Sequence, residues 1–143
     1  MKLLIIALVF VSNLTTKALA NAYEVPSPVM ISFQSEFPEA QNVEWKQSNH
    51  FSIATFTTDG NQFHAFYDVN GYFVVLAQDI NMLQLPKELL RNFNEKFSGY
   101  KPLAVYKMEG DDGIRYYCEA ENNGKKYVIS SDRSVWNVLV QEK

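Results

Sequence analysis

The chain has 143 residues, with 13 basic and 16 acidic side chains, a net charge of −3, 47% apolar residues and 20% charged ones. That balance excludes a disordered or collagen-like chain, and the missing basic excess argues against nucleic acid, whose phosphates need clustered Lys and Arg. One cysteine excludes a disulfide framework within the chain.

The chain opens on Met1-Lys2, followed by the unbroken apolar run Leu3 to Val11, a polar stretch from Ser12 to Lys17, and the small residues of Ala18-Leu19-Ala20. This pattern predicts a cleaved export signal over residues 1–20, because the run is too short to span about 30 Å of hydrocarbon. The expected mature protein lies in the periplasm or outside the cell and keeps no membrane anchor. Residues 21–80 set Lys46 alone against Glu24, Glu36, Glu39, Glu44, Asp59, Asp68 and Asp79, whereas residues 81–143 are nearly balanced. An acidic first half can steer a basic partner, and it can equally be a solvated face.

Pro26 to Phe37 lies over Pro86 to Phe97, with the Pro, the paired apolar residues and both Phe in register. Apolar residues at i, i+1, i+4 and i+8 make one helical stripe, and Pro suits a helix's first turn. A short helix is predicted in each segment. Strand patterns follow each one. The first set is Val43–Lys46, Phe51–Phe56, Phe63–Asp68 and Tyr72–Ala77; the second is 103–107, 114–120, 126–131 and 135–140. Ile114, Tyr116, Cys118 and Ala120 alternate with Arg115, Tyr117, Glu119 and Glu121, the period of a strand with one buried face. Asp59-Gly60, Asn70-Gly71, Asp112-Gly113 and Asn123-Gly124 punctuate these runs, and such dipeptides close tight hairpins. The expected fold is α+β: a tandem repeat of a helix followed by a four-stranded antiparallel sheet, with the first repeat over 21–80 and the second over 81–143.

Phe37-Pro38-Glu39-Ala40, Val43-Glu44-Trp45, Tyr67-Asp68-Val69-Asn70-Gly71-Tyr72 and Leu85-Pro86-Lys87-Glu88, in this order and spacing, resemble the PepSY-like family of exported bacterial proteins, often labelled β-lactamase-inhibitor-like. The resemblance implies a tandem α+β4 fold similar to that of β-lactamase inhibitor proteins (BLIPs). No inhibitor contact residue maps onto this sequence, and the known inhibitors carry disulfides that this chain lacks.

Few residues carry recognisable chemistry. Cys118 shares its predicted face with Tyr116 and Ala120 and reads as core. His50 and His64 form no local pair of the kind zinc sites use. Asp68-Val69-Asn70-Gly71 begins like a calcium loop, but Ala77 stands where the closing acid belongs, so it reads as a hairpin turn. Glu109, Asp111 and Asp112 read as a solvated turn. No phosphate loop, nucleophile elbow or HExxH is present. The reading is therefore no enzyme, no cofactor and no metal.

The aromatic excess is the remaining signal: eight Tyr and ten Phe. One sheet face must pack the helices through Phe33, Phe37, Phe93 and Phe97. The other face either stands open and presents rings to a partner or is buried as well. The open arrangement predicts a contact surface of Trp45, Phe66, Tyr106, Arg115, Tyr117 and Glu119, aromatics rimmed by charge. The expected function is an exported, non-enzymatic module that engages a protein or peptide, in the manner of an inhibitor. The alternative is an envelope carrier or structural protein holding a small apolar ligand between helices and sheet.

Overall fold

The computed structural model describes residues 23–48 and 50–141; the expected export signal over 1–20 lies outside them. Helix α1 spans Ser27–Glu36 and is followed by β1 (Gln41–Ser48), β2 (Phe51–Thr58), β3 (Asn61–Tyr67) and β4 (Phe73–Ile80). A 3₁₀ turn (Met82–Gln84) leads into helix α2 (Lys87–Lys96), then β5 (Lys101–Gly110), β6 (Gly113–Asn122), β7 (Lys125–Asp132) and β8 (Val135–Gln141).

The expectation of two separate four-stranded sheets is corrected. The eight strands belong to one sheet in chain order, β1 to β8, with antiparallel pairing in every hairpin. Asn-Gly and Asp-Gly turns specify which strand folds back on which, but they are silent on where a sheet ends. A separate four-stranded sheet would also leave two further edges of unpaired backbone, which folded proteins avoid. The chain divides into two compact units at Gln78/Asp79.

In the first unit, α1 opens on Pro26 and Pro28, which are preformed for a first turn. It ends where the Phe37 amide donates back to the Phe33 carbonyl at 2.9 Å, and Pro38 then blocks continuation. Its inward residues Val29 and Phe33 pack on Ala54, Phe56, Ala65 and Tyr67, with Trp45, Phe37 and Phe63 around them. The alanines matter here. Ala54 pairs with Ala65 across β2 and β3, and this low ground lets the Phe33 ring sit among Trp45 (5.1 Å), Phe56 (5.2 Å) and Tyr67 (6.4 Å), spacings that suit edge-to-face contact. The Tyr67 hydroxyl donates to Glu36 Oε2 at 2.8 Å, tying β3 to the end of α1.

The second unit solves the same problem with a different ring. Trp136 of β8 is fully buried. Its indole N–H donates to the Leu89 carbonyl at 2.9 Å, and its backbone N–H donates to Asn92 Oδ1 at 3.1 Å. Lys96 Nζ donates to its carbonyl at 2.9 Å. Around it close Leu85, Leu89, Phe93, Phe97, Val105, Cys118, Ala120 and Ile129. Glu88 in the first turn of α2 and Lys96 in the last also complement the helix dipole.

Candidate functional site

The six residues expected to form a contact surface do not come together as one. Phe66 pairs with Ile53 and Val75, and Tyr117 with Tyr106 and Ser130; this register places them away from the helix-facing rows, as alternation requires. They are nonetheless covered. Relative exposure is 1% at Phe66, 4% at Tyr106, 2% at Tyr117 and 8% at Glu119, and Arg115 is half-buried. The open aromatic face is therefore corrected to a buried one. The physical reason is the size of the hydrophobic contribution: each ring hides about 150–250 Å² when covered, so a row of Phe and Tyr is rarely left bare. Burial pushes the Tyr106 phenol well above its usual range, with Glu119, Asp79 and Cys118 adding to the rise. Burial likewise raises the Tyr117 phenol, against the opposing charge of Arg115.

Cys118 is core. It is fully buried, and its thiol is pushed up to about 12, first by burial and then by Glu119, whereas a nucleophile needs a thiolate near neutral pH. His64 is 2% exposed, and its Nδ1 lies 2.9 Å from Thr55 Oγ1; His50 is exposed. Among the described residues no three His, Cys, Asp or Glu side chains gather where a metal ion could bind. The Asp68 carboxylate is spent inside its own turn, where Oδ1 accepts from the Asn70 amide at 2.8 Å and the Tyr72 amide at 3.0 Å. That is an Asx turn closing a hairpin.

Trp45 has a different setting from the other five. It is on the helix side of the sheet, half-buried, and lines a groove of about 420 Å³ between α1 and β1 with Met30, Phe33, Phe37, Ala40 and Val43. The rim includes the exposed Gln34 and Pro38. Val43 and Trp45, two apart on β1, stand on the same side of the strand. Just before them, Asn42 has φ +52° and the β1–β2 register shifts between Gln41 and Glu44. Sequence reasoning found Trp45 but missed the other walls. The readable signal was Ala40, a small residue at the position where the second unit has Tyr100.

No family model matches the chain, and no curated protein sequence matches it. Solved structures do. A DUF2874 family protein from Bacteroides uniformis superposes with a TM-score of 0.73 at 18% identity, over 83% of this chain and 89% of that one. A BLIP-like protein from Bacteroides fragilis gives a TM-score of 0.69 at 20% identity, over 84% and 87%. The fold is BLIP-like. A protein of Bacteroides eggerthii whose name provisionally assigns it to the periplasm gives 0.73 at 18% identity, over 84% and 89%. At these identities the likeness establishes the fold and nothing finer. No helix among the described residues is long and apolar enough to cross a membrane.

Proposed function

We propose that this protein is an exported, non-enzymatic binding module that engages a protein or peptide through the aromatic groove of its first unit. The observation that carries this reading is the groove itself, where Phe33, Phe37 and Trp45 converge beside the exposed Val43. Aromatic side chains gathered in a partly desolvated recess are what interface anchors seek. The BLIP-like and periplasm-named neighbours are compatible with a binding role in the cell envelope, and kinship to the PepSY-like family rests on the motifs alone. Holding a small apolar ligand is the second reading. It is disfavoured because the groove is bordered by exposed residues, so an apolar ligand would remain half wet, whereas ligand pockets bury most of their guest.

The test is selection of peptides from a random display library on the full protein, followed by amide chemical-shift mapping of the strongest binder. Shifts concentrated on residues 30–45 are the expected result. Shifts confined to other segments, or no selected peptide, would overturn the reading. Saturation by palmitate with the same shift pattern would establish the carrier instead.

A further inference from the structure

The turn after each helix is built alike. The Ala40 amide donates to the Phe37 carbonyl at 3.1 Å, and the Tyr100 amide to the Phe97 carbonyl at 2.9 Å. After α2 this position holds a ring. Tyr100 stands edge-on to Phe97 at 5.1 Å and to Tyr127 at 5.0 Å, and Phe97 is buried to 5% exposure. After α1 the same position holds only a methyl group. Phe56 covers Phe37 from β2 at 4.9 Å, yet Phe37 stays half-exposed, and it lines the groove together with Ala40, Val43 and Trp45.

We infer that this groove takes an aromatic side chain of a basic peptide segment, which covers Phe37 as Tyr100 covers Phe97. The inference rests on the proposed binding function and names its occupant. Ring walls favour a ring, since edge-to-face partners attract at 4.5–7 Å separation (an approximate range). Charge selects the flanks: Glu36 and Glu39 are exposed and flank the lining residues Phe37, Pro38 and Ala40 in the chain, where carboxylates favour a basic partner. In residues 21–80 they face Lys46 as the only basic residue. The bulge at Gln41/Glu44 interrupts the β1 edge, so the occupant enters as a side chain and not as an added strand.

The experiment is an amide-shift titration of the full protein with three capped peptides: Lys-Lys-Phe-Lys-Lys, Lys-Lys-Ala-Lys-Lys and Glu-Glu-Phe-Glu-Glu. The first is expected to bind at least about tenfold more tightly than either other, with shifts at 37–45. Ala40→Tyr supplies the missing ring from within and is expected to weaken that binding at least about tenfold; Ala40→Ser is expected to leave it unchanged. Val43→Lys, at an exposed position, is expected to repel the same peptide without entering the core. Equal binding of the Phe and Ala peptides, or wild-type binding by both Ala40→Tyr and Val43→Lys, would overturn the inference. Equal binding of the acidic peptide would overturn its basic character. If the basic Phe peptide is silent while a display-selected peptide still shifts 30–45, the occupant is wrong and the binding module stands. Silence from both removes both.

Discussion

Replacing Gly71 with alanine asks more of the fold than the same change at Gly60. Both residues have left-handed backbones, φ +85° at Gly71 and +76° at Gly60, where an L-residue costs about 1–2 kcal/mol. Restricting the unfolded chain returns about 0.4–1 kcal/mol. Gly60 has open space around an added Cβ, so Gly60→Ala is expected to lose about 1 kcal/mol. At Gly71 the new Cβ would lie 2.7 Å from both the carbonyl carbon and the oxygen of Pro28. Ordinary carbon contact begins near 3.5 Å, so the first turn of α1 or the hairpin must retreat by about 0.8 Å. That movement also strains the bond from Ser32 Oγ to the Gly71 carbonyl, 2.7 Å long, worth about 1 kcal/mol. Gly71→Ala is therefore expected to cost about 3–4 kcal/mol, a large part of a total near 5–15 kcal/mol. Urea melts followed by circular dichroism, compared at a shared m-value, read the difference. Losses within about 0.5 kcal/mol of each other would refute the claim that this hairpin seats α1. Because α1 carries Met30 and Phe33 into the groove, Gly71→Ala should also disturb the groove's amide shifts while Gly60→Ala leaves them in place.

Phe33→Ala and Phe93→Ala are each expected to cost about 3–5 kcal/mol in the same melts, since both rings are nearly buried; a loss below about 1 kcal/mol at either would show that its ring anchors nothing. Tyr117→Ala is expected to destabilise by a comparable amount, about 3 kcal/mol or more, because the ring is only 2% exposed; a wild-type melt would mean that face is open after all. Cys118 should resist a thiol reagent at pH 8 in the native protein and react once urea unfolds it. Its folded-state pKa is raised from 9.0 to about 12, so the unfolded chain releases the thiol proton first and stability falls as pH climbs above 9. Between pH 9 and 11 the wild type should lose up to about 1.4 kcal/mol per unit more than Cys118→Ala; parallel curves would refute the raised pKa.

The elements were legible because their signals are local. Pro26 and Pro86 marked helix starts, and the residue pairs Asp59-Gly60 and Asn123-Gly124 adopt the doubly left-handed turn that their types favour. The turn at Asn81 is local too: its amide donates to Gln84 Oε1 at 2.9 Å and its Oδ1 accepts from the Leu83 amide at 2.9 Å, residue types that favour such a cap. What stayed hidden is set by neighbours distant in sequence. Alternation put Phe66 and Tyr117 on the face away from the helices without saying whether anything covers it. Trp45 looked equivalent to Tyr106 because each is the large aromatic of its first strand. The turns align at an offset of 60, Ala40 over Tyr100, and that offset sets Trp45 over Val105, so Trp45 shares the helix-side packing of Val105 while Tyr106 lies on the other face. The groove could be inferred only by setting Ala40 against Tyr100 with the packing of both in view.

A sheet whose order follows the chain also constrains how quickly the protein can assemble. Each hairpin, β1–β2, β2–β3, β3–β4 and its counterparts after α2, joins strands separated by only a few residues. Closing such loops takes roughly 10–100 ns and forming a hairpin roughly 1–10 μs, and no strand within a unit waits for a distant partner to be paired. Sandwiches with long crossovers delay their rewarding contacts and fold in about milliseconds to seconds. A chain-ordered sheet can instead grow by one neighbour at a time. The first unit ends at Gln78, so its helix and hairpins can form before the rest of the chain has emerged from synthesis.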